Sequence, residues 1–323
     1  NHSATIRMHG ENTKTVLAPD ETETIYFTIT INPAGEKTTS IAGGDSLAKQ
    51  VQNVWEKRIA TLTRNIPSLK SDIDGLEDYY KRSVLTGLVC VWENPSYALN
   101  PFPSECGMDG GATCLYPWGV AYVPNMASLM FGHYLIDIIR KTAGVDLQKY
   151  YAFTLNGRGI GVKYSYDTFA FAALCDAVFK YFGPQRDLFE EARRIIVDEE
   201  KREQSNNLID YGVQHNLLEM RGAGWEHYVA SPNAERITSL QILAGMGKQL
   251  GSNDQEVENW KDQAEQVKKA IQVNLWDDSV KWFASVYPNG YRDFVYSIQV
   301  FDVMRSGVCT PEMKKAILTH LKD

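Results

Sequence analysis

From about residue 45 to the end of the chain, apolar side chains return every third or fourth position, a period that restricts this length of polypeptide to packed amphipathic helices. Leu47, Val51, Val54, Trp55, Ile59 and Leu62 mark a first stripe, with Asp45 or Ser46 placed to cap it. A second helix is expected from about Leu76 to Trp92. Phe169, Ala173, Leu174, Ala177, Val178 and Tyr181 form a later stripe, and Ile237, Leu240, Leu243 and Leu250 another. Val257, Trp260, Ala264, Val267, Ile271 and Leu275 recur at near-heptad spacing. Gly183-Pro184 and the Gly251 to Asp254 stretch break these helices within a few residues, which implies antiparallel helical hairpins. Thr310-Pro311-Glu312 opens a last helix with Thr at the cap and Pro at its first position.

No tight repeat of solenoid length is visible, so unequal hairpins are expected to close on one another rather than stack in a line. The expected class is all-α, a six-hairpin (α/α)6-type toroid that is incomplete in this chain. Residues 45–323 would form it, with residues 1–44 a separate β segment. There, Thr22 to Ile31 carries β-branched and aromatic residues at strand density, closed by Asn32-Pro33-Ala34-Gly35 as a turn. A lone strand is marginal in water, so this one is expected to end an upstream sheet or to pack as a ribbon.

Composition narrows the function classes. A net charge of −7 argues against a nucleic-acid footprint. No apolar run reaches the 18 residues of a membrane span. The five cysteines lack zinc-type spacing; Cys90 and Cys175 read as core, while Cys106 and Cys114 flank a Gly-rich loop and are candidates for a bridge. Asn1 in place of Met points to a removed targeting segment or an excised piece, and the expected location is periplasmic or secreted. The run Asp198 to Glu203 reads as a solvated helix face. Asn156 to Gly161 is not a dinucleotide fingerprint, since no strand is expected before it; it reads as a loop ahead of a helix capped by Ser165 or Asp167. Tyr164 and Tyr166 are read as core or as lining of a site.

Two stretches break the amphipathic pattern with dense polar and aromatic content. One, in a long Pro- and Gly-rich loop between Asn94 and Pro117, holds Glu105 and Asp109 and leads into Trp118. The other holds Tyr211, Glu219, Trp225, Glu226, His227 and Asn233. Trp and Tyr beside carboxylates and Asn suit a sugar, whose ring faces stack on aromatics while its hydroxyls need polar partners. A carboxyl held near apolar rings favours its neutral form, as a general acid requires.

Glu219, the pair Trp225-Glu226, Pro232 and Asn233-Ala234 stand in an order that resembles the six-hairpin glycosidases, the clan of trehalase, processing glucosidase I, mannosylglycerate hydrolase and glycogen-debranching glucosidases. Asn274-Leu275-Trp276-Asp277, followed by Trp282-Phe283, is similar to the turn these enzymes carry after an inner helix. The resemblance, over roughly Leu76 to the end, implies an exo-acting, inverting glycoside hydrolase without a cofactor. Glu226 would be the general acid and Glu219 its rival, with Glu105, Asp109, Trp118, Tyr211, Trp225, His227 and Asn233 binding an oligosaccharide or glycoside. Two departures stand out: Trp118 is followed by Gly119 where the clan carries Asp, and Glu226 stands where the clan has Asp. The clan's late general base is expected to lie outside this chain, which has room for only about eight or nine helices after residue 45. A partner chain or dimer mate would then complete the ring. Two other classes fit the same residues. A polysaccharide lyase could draw on Tyr228, His227, Arg221, Arg236 and Asn233, and a noncatalytic sugar-binding or scaffold protein would need no base.

Overall fold

The computed structural model describes residues 4–9, 19–20, 28–33, 44–104, 113–202, 204–213 and 224–322. Glu105, Cys106, Asp109, His215, Glu219 and Arg221 lie outside them, and so does any pairing of Cys106 with Cys114. The chain divides into two compact units, Asn1–Arg64 and Asn65–Asp323.

In the first unit, Ala4–His9 and Thr28–Pro33 form an antiparallel pair with Ile6 opposite Ile31, so the β-rich segment has its partner upstream in this chain. Asn32 and Pro33, read as a turn, belong to the ladder. Helix α1, Gly44–Thr63, begins before the expected caps Asp45 and Ser46.

The second unit is helical, with small antiparallel ladders at helix ends. Its elements are α2 (Leu76–Val89), α3 (Pro117–Ala121), α4 (Pro124–Phe131), α5 (Tyr134–Ala143), α6 (Asp167–Phe182), α7 (Arg186–Glu200), α8 (Ala230–Gln249), α9 (Asp254–Asn274), α10 (Val300–Arg305) and α11 (Pro311–His320). With α1 these make eleven helical segments among the described residues, more than helix counting from the sequence allowed, because α3 and α10 are too short to leave a periodic stripe. None of the described helices is long and apolar enough to cross a membrane.

Helices α6 and α8 are buried on nearly every side, whereas α7 and α9 bury one stripe each. That difference sets the layering. Helix α6 packs on α3, α7 and α8, and α8 packs on α9 and α10, so all-round burial falls to the helices with neighbours on both sides. In α9 the side chains of Val257, Trp260, Ala264, Val267 and Ile271 all face α8 and its surroundings, as their spacing requires. Gly247 of α8 makes that approach close, since a Cβ there would lie 3.0 Å from the Trp260 ring.

Local signals explain the ends. Asn253 caps α9 by accepting from the Gln255 N–H at 2.8 Å, and Thr310 caps α11 by accepting from Met313 N–H at 3.2 Å, with Pro311 following. Thr310→Ala is expected to cost about 1 kcal/mol, read from the urea midpoint. Helix α2 stops at Val89, because Val91–Trp92 turns into a strand paired with Phe102–Pro103. Helix α6 starts after Tyr166 with no side-chain cap, so neither Ser165 nor Asp167 serves as one; Asp167 is its first residue. A strand, Ala152–Thr154, does precede the Gly-rich 156–161 segment, but it turns back to pair with Gly159–Ile160 instead of entering a helix.

Candidate active site

The segment between α7 and α8 builds the site. Gln204–Ser205 and Leu208–Ile209 form a hairpin whose turn residues, Asn206 and Asn207, have φ of 52° and 63°, the two left-handed positions a tight hairpin needs and Asn tolerates. Asn233, fully buried in the first turn of α8, pins this hairpin. Its Oδ1 accepts from Ile209 N–H at 2.9 Å, and its Nδ2 donates to Val229 O at 2.9 Å and Ile209 O at 3.2 Å. Arg236 Nη1 adds a fourth bond to Oδ1 at 2.8 Å, which fills the hydrogen-bonding capacity of the amide. Asn233 therefore lies beneath the site as its anchor.

Beyond the hairpin, Asp210 and His227 meet. His227 Nδ1 lies 2.9 and 3.0 Å from the two Asp210 oxygens, and Gly212 N–H donates to Asp210 Oδ1 at 2.7 Å, so the carboxylate is oriented before it orients the ring. With Nδ1 turned to an acceptor, Nε2 is left for other work. His227 has φ of 61° and is held there by its backbone: its N–H donates to Gly212 O and its O accepts from Tyr211 N–H. Gly224, at φ 90°, lets the incoming chain pass Asp293, whose Oδ2 would lie 2.6 Å from a Cβ.

Glu226 enters the cluster through Tyr287. A bridge between Tyr228 and Val286 brings the two segments side by side, and the Tyr287 hydroxyl donates to Glu226 Oε2 at 3.1 Å. The Tyr287 ring lies 5.1 Å from that of His227 and 5.4 Å from that of Tyr291. Loss of water, then the Glu226 acceptor, pushes the Tyr287 phenol above its ordinary range, so it stays a donor.

Tyr211 and Trp225 pack with Ile209 and Val229 in a small buried cluster under this surface, and Tyr211 donates to Pro232 O at 3.4 Å. Trp118 stands apart from them but is linked to the start of α8. Its ring is 5.5 Å from Tyr164, Tyr164 is 5.3 Å from Tyr166, and the Tyr166 and Ser231 hydroxyls are 2.6 Å apart. Tyr164 and Tyr166 are both buried. Asp210 and Tyr287 are the residues that reading for carboxylate and aromatic clusters did not select. Asp210 was legible only as part of the same polar stretch, and Tyr287 lies in a Tyr-Pro-Asn-Gly turn with no other mark.

Two buried charge clusters flank this region. The charged run after Asp198 is not wholly a solvated face: Glu199 is buried and bonds Lys163 Nζ at 2.6 Å, and Glu200 accepts from Nε and Nη2 of Arg236. Beside the Lys163 pair, Asp167 is fully buried, and neither of its oxygens has a hydrogen-bond partner among the described residues. Burial pushes its carboxyl well above the ordinary range, Lys163 pulling against and Glu199 adding to the effect. Between α8 and α10, Glu235 and Asp302 are both held by Arg305, which contacts them at 2.5 and 3.3 Å. Desolvation and the neighbouring carboxyl raise Glu235; Asp302 is raised by desolvation. Among the described residues no group of His, Cys, Asp or Glu is arranged to hold a metal ion.

Asp167 gives a stability prediction with a definite sign. The unfolded chain releases this proton near pH ~3.9 and the folded chain only well above it, so stability from the protonated form is full below ~3.9 and is lost as pH rises toward the folded value, by up to ~1.4 kcal/mol per unit. Asp167→Asn removes this slope. Urea titrations at several pH values are expected to show the variant gaining on the parent from acid to neutral pH; parallel curves would refute the assignment.

No family model matches the chain, and no curated protein matches it. Solved structures do. A rhamnosidase from Klebsiella oxytoca with rhamnose bound aligns at a TM-score of 0.63 and 13% identity over 79% of this chain and 48% of its own. The GH78 family rhamnosidase of Bacillus sp. GL1 aligns at 0.61 and 14% identity, over 78% of this chain and 26% of its own. A looser likeness, at 0.48 and 11% identity over 84% and 76%, is to a Streptococcus pneumoniae structure from a family of metal-independent alpha mannosidases, in complex with alpha-1,6-mannobiose. The chain thus spans about half the length of the first rhamnosidase and about a quarter of the second, and what it shares with them is the fold.

Proposed function

We propose that this chain carries the acid side of a glycoside hydrolase site, exo-acting and inverting, with Glu226 as general acid and rhamnosides as the first substrate class to try. The observation that carries the reading is the Tyr287 bond to Glu226 Oε2, set beside the His227–Asp210 pair on a fold shared with rhamnosidases. With Oε2 held by a phenol, Oε1 is the oxygen that delivers the proton to the glycosidic bond. Water would attack from the opposite face, activated by a second carboxylate roughly 6.5–9.5 Å from the first. That base, and the hairpins that close an (α/α)6 ring, are assigned to polypeptide beyond these residues or to a partner chain, in keeping with a match to 48% of the first rhamnosidase. Glu219 remains the rival acid. Glu105 and Asp109 are assigned to the sugar-binding rim, and Tyr211, Trp225 and Asn233 to its support. The half-buried Trp118, with exposed Tyr291, offers faces for stacking.

The test is a screen of aryl glycosides and disaccharides with this chain and with a C-terminally extended one, following the first-formed anomer by NMR. Turnover by the extended chain with inverted product supports the reading; retained configuration or no turnover by either contradicts it. One observation favours a lyase instead: a His oriented by Asp and leaning on a Tyr is also a base for β-elimination. Products absorbing in the ultraviolet from uronic-acid glycans would establish that alternative. Of its two expected cations, Arg236 is already engaged by Glu200, and Arg221 lies outside the described residues.

A further inference from the structure

A groove of about 400 Å³ adjoins Tyr287, walled by the 204–209 hairpin, the last turn of α9 and the turn that follows Val286. Tyr287 belongs to both places: it lines the groove and bonds Glu226. Its own turn is fixed, with Tyr287 N–H donating to Tyr291 O at 2.9 Å and Gly290 N–H to Tyr287 O at 2.8 Å. The volume falls in the lower part of the roughly 300–1,000 Å³ range of small-molecule sites.

The chemistry of the walls selects the occupant. Tyr228 and Tyr287 supply rings, Ser205, Asn206 and Asn274 supply neutral polar groups, and among the described residues no carboxylate lines the groove. The cation among its described lining residues, Arg292, directs its terminal nitrogens to the carbonyls of Asn274, Leu275 and Trp276 at 2.8, 3.3 and 3.4 Å, so it closes the end of α9 and is not aimed at an anionic ligand. Rings and uncharged polar groups without a free charge suit a neutral hexose.

We infer that this groove seats the sugar on the leaving side of the bond, so that the substrate is a glycoside with a sugar as its leaving group. The inference rests on the glycosidase reading of Glu226. A proton delivered from Glu226 goes to the glycosidic oxygen as its bond to the transferred sugar breaks, and the departing sugar, now carrying that proton as a hydroxyl, lies across Tyr287 in the groove. Water supplies the oxygen on the other product.

Val273, 78% exposed in the last turn of α9, and Ser205 on the hairpin both line the groove and lie outside the catalytic cluster. Val273→Trp and Ser205→Trp each fill it from a different wall. Calorimetric titration of rutinose, a rhamnosyl-glucose, and of methyl α-rhamnoside, whose leaving group is too small to reach the groove, is made in a Glu226→Gln background that keeps both intact. Each Trp variant, with its melting curve unchanged, is expected to weaken rutinose by about tenfold and methyl rhamnoside by less than about twofold. Equal effects on the two sugars, no effect in either variant, or no binding of rutinose to the parent would overturn the groove assignment. Parallel rate measurements on the C-terminally extended chain with Glu226 intact separate the two ideas. Selective loss of rutinose binding without turnover would keep the groove and remove the hydrolase, while turnover indifferent to both Trp variants would do the reverse.

Discussion

In the C-terminally extended chain, Glu226→Gln is expected to lower hydrolysis of unactivated glycosides by about 10²–10⁴, the usual worth of a positioned general acid. The amide keeps the shape and the acceptor that Tyr287 uses, so substrate affinity is expected to change little. A leaving group that needs no proton, such as a dinitrophenolate, will blunt the loss. That contrast between substrates is what separates a lost acid from a disturbed pocket. A variant with full activity on both would move the acid to Glu219 or end the assignment.

Arg236→Leu is expected to cost about 3–5 kcal/mol, the largest stability effect anticipated, because it strands a buried carboxylate. Arg236 and Glu200 are 3% and 9% exposed, and the guanidinium donates to both Glu200 oxygens, to Asn207 O and to Asn233 Oδ1. One side chain therefore ties α7, the hairpin and α8 together behind the site. Once it is gone, Glu200 keeps, among the described residues, the Gln263 amide at 2.8 Å. Removing both charges in Glu200→Leu/Arg236→Leu is expected to restore most of the loss, since a buried pair is costly chiefly when half of it remains. Urea unfolding of the three variants decides this, and a single substitution costing under about 1 kcal/mol would show the pair to be solvated.

What the sequence disclosed follows from the range of its signals. The α9 stripe was legible because one face does all the burying; Thr310-Pro311 was legible because a cap is a local matter. Glu199 and Glu200 were misread because their partners, Lys163 and Arg236, lie 36 residues away on either side, and a charge run carries no trace of so distant an ion pair. Trp282–Val286 went unread as a strand since its first four residues are all buried, leaving no alternation to see. At the site, Trp225, Glu226 and His227 stand together in the chain and drew notice for that reason. Tyr287 reaches Glu226 across 61 residues, through a β-bridge that no local pattern announces. Asn233 was taken for a pocket residue because Asn beside aromatics suits a sugar; its four bonds go instead to Ile209, Val229 and Arg236.

The most direct test of the Glu226 site is a structure of the Glu226→Gln variant with an intact rhamnoside. The account predicts the glycosidic oxygen within about 2.6–3.2 Å of the residue-226 side chain, on the atom that Tyr287 does not hold, with the leaving sugar toward the groove. A rhamnoside bound elsewhere, with residue 226 turned to solvent, would contradict it.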